Sequence, residues 1–239
     1  CTTAYLLGAP TDGSAAGART ILDATRNALE AARAAGVGRV VYTSSIVTVG
    51  YSADPRVVLD EHTASCTPAT PYHTAKWDAE RFVLRFARDT RLPVVVVNPA
   101  AIVGPLDFRV TPSTAPIDRC LTRGLGAAPT GGITVAHAED VARGHLLAMR
   151  RGRPGERYIL GGDRVTLPDY FRLICWACDR RPPRVTVPRG VTCLAGVGFS
   201  VVRRLTGRPV PFTARQAWLL AGRYGWYSSA KAEAELGYR

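Results

Sequence analysis

Hydrophobic positions along the chain recur with two different periods. Between Ala15 and Ala35, the residues Ile21, Leu22, Ala28, Leu29 and Ala32 fall at helical spacing, and Gly36 and Gly38 supply the stop. A second helix is predicted over Tyr72–Thr90, with Trp77, Phe82, Val83 and Phe86 as its apolar stripe. Short unbroken apolar runs lie around these helices: Ala4–Leu7 ending at Gly8, Arg39–Ser45 (RVVYTSS), and Val94–Val97, which Pro93 opens and Asn98-Pro99 stops. Their length and β-branched content mark buried strands. Strand, helix, strand, helix, strand in close succession predicts crossover units, hence an α/β fold: a Rossmann-like, doubly wound parallel sheet with helices on both faces.

After Gly104-Pro105 the pattern loosens. Strands are predicted at Ile133–Ala136 and Tyr158–Leu160, and helices over Glu139–Met149 and Pro168–Cys178. Residues 1–105 are therefore expected to form the Rossmann-like core. Residues 106–239 are expected to form a smaller mixed α/β region, with a core-completing segment near 133–160 and a substrate-side part closing over the sheet edge.

Ligands of parallel sheets sit beyond the carboxyl ends of the strands, which singles out Ser44 and Ser45 after one strand and Asn98 after another. The helix between them opens with Pro71-Tyr72-His73-Thr74-Ala75-Lys76. Residues four apart share a helix face, so Tyr72 and Lys76 point the same way. A phenol with a pKa near 10 is a poor acid-base group at neutral pH, but a neighbouring ammonium stabilises the phenolate and moves it toward the working range. Ser45 is placed to hydrogen-bond the same substrate oxygen. These are the parts for protonating a carbonyl oxygen as hydride arrives at carbon, or for the reverse. A bare Y-x-x-x-K is a weak signal; its place between a Thr-Ser-Ser strand end and an Asn-Pro strand end gives it weight.

The ordered segments VVYTSS, YHTAK, VVVVNPAAIVGP, AHAEDVARGHLLAM, GERYILGG and YSSAKAEAELGYR resemble the extended short-chain dehydrogenase/reductase superfamily. They are most similar to its hopanoid-associated sugar epimerase and dihydroflavonol-reductase-like branch, and the resemblance runs through essentially the whole chain. It implies a catalytic triad of Ser45, Tyr72 and Lys76: Tyr72 as general acid-base, Lys76 lowering its pKa and bonding the nicotinamide ribose, and Ser45 orienting the substrate oxygen. It implies that Tyr72, Lys76, Asn98, Pro99, Ala100 and Val103 border NAD or NADP, and that the loops Ser52–Thr70 and Phe108–Pro116 line a small-molecule substrate. The activity it implies is that of an NAD(P)-dependent oxidoreductase or epimerase acting on a carbonyl or secondary alcohol. A homodimer paired through the helices near 15–35 and 72–90 follows from the same resemblance.

The chain departs from that family in three places. The family begins with a strand, a Gly-rich turn and a helix that cradle the pyrophosphate, followed by a residue that reads the ribose. Gly124-x-Gly126 and Gly196-x-Gly198 lack the third Gly and a preceding strand, and the opening CTTAYLLGAP instead resembles the family's fourth strand. The expectation is therefore a piece of a longer protein. A complete chain would lack the first strands of the sheet, and Tyr72 and Lys76 would then suit a cofactor-independent isomerase, cyclase or lyase, or the fold a non-catalytic sensor or scaffold. The scaffold has no need of Ser45, Tyr72 and Lys76 together. Second, Ile21 stands where the family's helix begins with Asn, a residue that helps hold a water-linked proton path to the lysine. Third, Ala75 stands where Ser is common.

Composition narrows the partners. Of 239 residues, 31 are basic and 19 acidic, a formal +12, and 29 of the basic residues are Arg. Clustered positive charge would point to nucleic acid, but the Arg pairs at 150–151, 180–181 and 203–204 lie in separate segments with no recognition motif, so no nucleic-acid partner is expected. The six cysteines are expected as reduced thiols of a cytoplasmic protein, with Cys175 and Cys178 packed as small hydrophobes in a helix. The four histidines show no ligand spacing, so no metal is expected. Val191–Val202 is apolar but too short and Gly-rich to cross a bilayer, so no membrane partner is expected. One of the two lysines is Lys76, where a compact ammonium suits a ribose better than a guanidinium fork.

Overall fold

The structure, a computed structural model, describes residues 3–6, 15–63, 70–108, 111, 113–208, 210 and 212–239, without the side chains of residues 15, 16 and 18. Along the chain run β1 (Thr3–Leu6), α1 (Ala15–Ala34), β2 (Arg39–Thr43), a 3₁₀ turn (Ile46–Thr48), α2 (Pro71–Thr90), β3 (Val94–Pro99), β4 (Ala101–Val103) and α3 (Ala115–Arg123). There follow β5 (Ala127–Pro129), β6 (Gly132–His137), α4 (Ala138–Arg151), β7 (Arg157–Leu160), β8 (Asp163–Thr166) and α5 (Leu167–Ala177). Last come β9 (Val185–Val187), α6 (Arg189–Thr206), α7 (Ala214–Leu220), β10 (Tyr224–Gly225) and α8 (Ala230–Leu236).

The main sheet is parallel throughout, in the order β1-β2-β3-β7. Alternate residues of a strand face opposite sides, and the sequence uses both sides. Val40, Tyr42, Val94 and Val96 pack with Ile21, Leu29 and Val83 of α1 and α2. Val41, Val95 and Val97 pack with Val141 and Ala148 of α4 and Leu236 of α8. This is the expected doubly wound, Rossmann-like α/β arrangement. Val94 to Val97 are completely buried, and each contributes about 1.5–3 kcal/mol by leaving water. Helix α4 lies close on β7 because position 144 is Gly: a Cβ there would come within 2.7 Å of Leu160. Helix α1 ends at Gly36, whose φ of 61° is left-handed and free of strain for Gly alone.

A second sheet, β10-β6-β4 with β8 antiparallel to β6, carries α3 and α5 on a cluster of Cys120, Leu125, Tyr170, Ile174 and Cys175. The segment expected to complete the core divides: α4 and β7 join the main sheet, whereas β6 belongs to the second sheet. Strand β3 runs through Asn98 and Pro99, which pair with Ile159 and Leu160, where a stop was expected. Pro99 is tolerated as its last residue, and the chain restarts as β4 in the other sheet. The buried face of α2 is His73, Ala75, Lys76, Ala79, Glu80, Val83 and Ala87. Of the expected stripe only Val83 is core, while Trp77, Phe82 and Phe86 are half-buried along its flank.

Cys175 is buried with its Sγ 3.5 Å from that of Cys120, and Cys178 is half-buried; all three are free thiols. Leu7, Gly8, Cys1, Cys66, and residues 64–69, 109, 110 and 112 of the two expected substrate loops lie outside the described residues. Among the described residues no helix is long and apolar enough to cross a membrane, and no three His, Cys, Asp or Glu side chains form a metal site.

Candidate active site

The end of β2 and the start of α2 meet. Thr70 caps α2, its hydroxyl accepting from the His73 amide, and Pro71 begins the first turn. That start fixes the direction of Tyr72 and, one turn on, of Lys76. Ser45 is extended, with φ −164° and ψ 154°, and caps the 3₁₀ turn that follows β2, its Oγ accepting from the Val47 amide at 3.4 Å. The Ser45 side chain lies beside the Tyr72 phenol and acts to lower its pKa. Ser45 and Tyr72 are thus brought to the same end of the main sheet.

Lys76 is 4% exposed, and its ammonium donates to the carbonyl of Thr43 at 3.0 Å and lies 5.7 Å from the Tyr42 ring. Burial lowers its pKa to about 8, against the opposing pull of the Glu80 carboxylate. Burial raises the pKa of Tyr72, and the Ser45 hydroxyl works in the other direction. Lys76 is not among the groups that shift Tyr72, because its ammonium is aimed at the strand end. Thr43 is held in turn by His145, with Oγ1 2.8 Å from Nε2. His145 Nδ1 sits 2.7 Å from the Val141 carbonyl, which can only accept, so Nδ1 carries the proton and Nε2 accepts from Thr43.

Asn98 is fully buried, and its amide lies 2.7 Å from Glu80 Oε2, 3.0 Å from Thr48 Oγ1 and 3.2 Å from the Ser45 carbonyl. Its side chain is thus used in holding the Ser45 turn. Glu80 also accepts from Thr48 at 2.9 Å and from Arg157 at 2.8 Å, a pair with both side chains largely out of water. Pro99 and Ala100 are buried at the end of β3, with the Ala100 amide donating to Leu160 at 3.0 Å. Val103 lies in β4 and packs on the Cys120–Tyr170 cluster of the second sheet. Ile21 is buried against the main sheet.

Around Tyr72 stand residues the sequence reading missed. His73 makes an edge-on contact with Tyr72 at 6.2 Å and a tilted one with Tyr51 at 6.3 Å. Its Nδ1 is 2.6 Å from Thr70 Oγ1, and its buried Nε2 has no partner. Burial, then the Arg215 guanidinium, lowers its pKa to about 4. Glu80 was detectable, since it follows Lys76 by the same four residues that separate Lys76 from Tyr72. Of the expected substrate loop, Ser52 and Leu59 form bridges to Tyr224 and Tyr227, which anchor it beside β10.

The model of the NAD dependent epimerase/dehydratase family matches residues 12–161. A putative dihydroflavonol 4-reductase of Synechocystis is 32% identical over 220 residues, covering 89% of this chain and 63% of its own length. Sterol demethylase protein B of Methylococcus capsulatus is 34% identical over 218 residues, covering 89% of this chain and 65% of its own. The chain thus spans a little under two thirds of each. The crystal structure of gox2253 superposes with a TM-score of 0.84 at 31% identity, covering 100% of this chain and 73% of that one.

Proposed function

The chain belongs to the NAD dependent epimerase/dehydratase family, and from that premise we propose that the full protein is an NAD(P)-dependent oxidoreductase or epimerase acting on a carbonyl or secondary alcohol of a small metabolite. The observation that carries this reading is the meeting of Ser45, at the end of β2, with Tyr72 and Lys76 at the start of α2, where the Lys76 ammonium bonds the Thr43 carbonyl. The reductase and ketoreductase names of two relatives favour reduction of a ketone.

The residues present fit the nicotinamide-ribose end of the cofactor. An ammonium has three protons, of which the contact with Thr43 uses one, leaving two for ribose hydroxyls. Ser44 Oγ, buried and without a partner, is a further polar atom at the same strand end. For the pyrophosphate end, no Gly-rich turn joins a strand to a helix among the described residues: Gly124 ends α3 and Gly196 lies inside α6. When bound, NAD(P) supplies or accepts the hydride. Tyr72 would give a proton to the carbonyl oxygen or take it from the alcohol, Ser45 would orient that oxygen, and Lys76 would hold the ribose.

A homodimer through the outer faces of α1 and α2 belongs to the same proposal.

Titration of the full-length protein with NADH and NADPH tests the reading, and saturable binding of one or both is expected. Absence of binding sinks the redox assignment. Tyr72→Phe is expected to lose about 10²–10⁴-fold or more in turnover while cofactor affinity stays within a few-fold. Full activity in that variant would remove Tyr72 from the acid-base role.

A further inference from the structure

Positive charge is not spread evenly over the chain. Residues 180–232 contain nine Arg, one Lys and no Asp or Glu, whereas the other 186 residues hold 21 basic and 19 acidic ones. Ten of the twelve net charges therefore sit in 53 residues. Among the described residues none of these nine arginines takes part in an ion pair.

Helix α6 lies inside this acid-free stretch and has two faces of opposite character. Its inner face is settled by α7. Thr192 and Gly196 are buried, a Cβ at 196 would come within 2.9 Å of Ala217, and Ser200 Oγ accepts from the Ala214 amide at 2.9 Å. Among the described residues its outer face is apolar and uncovered: Val191 is 58% exposed, Leu194 73%, Val197 51%, Val201 51%, Val202 47% and Leu205 80%. At 100° per residue these positions, with Ala195 and Gly198, cover an arc of about 160°. Arg204 borders the arc, and Arg203 and Arg208 stand exposed at its carboxyl end. Trp218 of α7 shares a cavity with Cys193 and Val197 and lies between the guanidinium groups of Arg189 and Arg223, at 6.0 and 4.3 Å.

An exposed apolar arc this wide calls for an occupant. A second copy would bring the same uncompensated charge to the contact, and like charges oppose it. Nucleic acid would satisfy the arginines and leave the apolar arc in water. A bilayer surface rich in anionic phospholipid satisfies both, since the apolar side chains enter the boundary between headgroups and acyl chains while arginines meet phosphates and Trp218 sits at headgroup depth. We propose that α6 docks this protein on an anionic phospholipid bilayer, lying in the plane of the interface. This revises the sequence-based expectation of no membrane partner, which rested on the length needed to cross a bilayer; a helix lying in the interface has no such requirement.

Flotation of the full-length protein with vesicles tests it. Vesicles of about three parts phosphatidylcholine to one part phosphatidylglycerol are expected to bind at least tenfold more protein than pure phosphatidylcholine. Raising salt from about 0.1 M to about 1 M, which shortens the screening length from ~10 to ~3 Å, should weaken that binding. The double variant L194E/L205E, altered only at exposed positions, should lose at least tenfold of the binding with its melting temperature unchanged. The variant R203Q/R204Q should weaken binding to the anionic vesicles alone. Failure to float with either vesicle overturns the proposal, as does undiminished flotation of L194E/L205E. A protein that ignores vesicles but binds duplex DNA, or whose oligomer dissociates in L194E/L205E, assigns the surface to those partners and overturns it too.

Discussion

Glu80 and Asn98 share a fully buried hydrogen bond of 2.7 Å that ties the helix bearing Tyr72 and Lys76 to the strand beside Ser45. The same carboxylate holds Thr48 and Arg157, so one side chain joins α2, the 3₁₀ turn, β3 and β7. Glu80→Ala leaves the Arg157 guanidinium largely buried with its charge unmatched. Such a loss costs about 3–5 kcal/mol of stability, to be read from urea denaturation. Glu80→Gln keeps an oxygen for Thr48 and Asn98 and is expected to cost less. Equal losses in the two variants would place the whole effect on charge and none on the hydrogen bonds.

Lys76 predicts a conflict between stability and function. Its ammonium is buried, and the pKa falls from 10.5 to about 8. The unfolded chain therefore binds a proton more tightly between about pH 8 and 10.5, and stability contributed at this position rises with pH across that window. Lys76→Met removes the cost of burying the charge. It should be more stable than the parent at pH 7, by about 3 kcal/mol at most, with the difference shrinking as the pH approaches 10. The same variant should be nearly inactive. Denaturation curves at the two pH values decide it, and a variant less stable than the parent at both would show that the bond to Thr43 outweighs the desolvation.

What the sequence disclosed of this arrangement follows the range of the interactions involved. The strands Val40–Tyr42 and Val94–Val97 were legible because a short unbroken β-branched run marks a strand buried on both faces, a local signal. Tyr72 and Lys76 were legible because helix neighbours recur every four residues, and the same rule extended once more reaches Glu80. Arg157 was not legible as the partner of Glu80: 77 residues separate them, and no period links a helix to a strand that far away. Asn98 was found as a strand end, but which way its amide turns depends on Glu80 and Thr48. Helix α6 was read as a short apolar stretch, because the sequence does not say that its hydrophobic side faces outward. The charge imbalance was countable, yet a whole-chain total hid it, and only the placement of α6 gave the segment 180–232 a meaning.

Two buried histidines are expected to make the fold sensitive to acid. Burial and then Arg215 hold His73 near 4, and burial also holds His145 below its usual value against the bond to Val141. In the unfolded chain both take up protons near pH 6.5, whereas in the folded chain His73 does so only near 4. Their contribution is therefore complete above about pH 6.5 and declines as the pH falls toward 4. Urea midpoints should drop over that interval, before most carboxylates titrate. His73→Gln should flatten the decline. An equally steep decline in that variant would assign the acid sensitivity to other groups.

Ser45 bears on the proton step through the phenol it touches. Burial raises the Tyr72 pKa, and the neighbouring Ser45 hydroxyl works against that rise. Ser45→Ala removes the opposing influence, so the phenolate becomes harder to form. Oxidation of an alcohol needs the phenolate as base, and its kcat/KM rises with pH as that form appears. In Ser45→Ala the rise should begin at higher pH, in addition to a loss of about tenfold or more at every pH from the missing bond to substrate oxygen. Ser45→Thr, which keeps a hydroxyl, should restore the position of the rise even where its methyl group lowers the maximum. A profile that drops uniformly without moving would mean that Ser45 contacts the substrate alone and leaves the basicity of Tyr72 untouched.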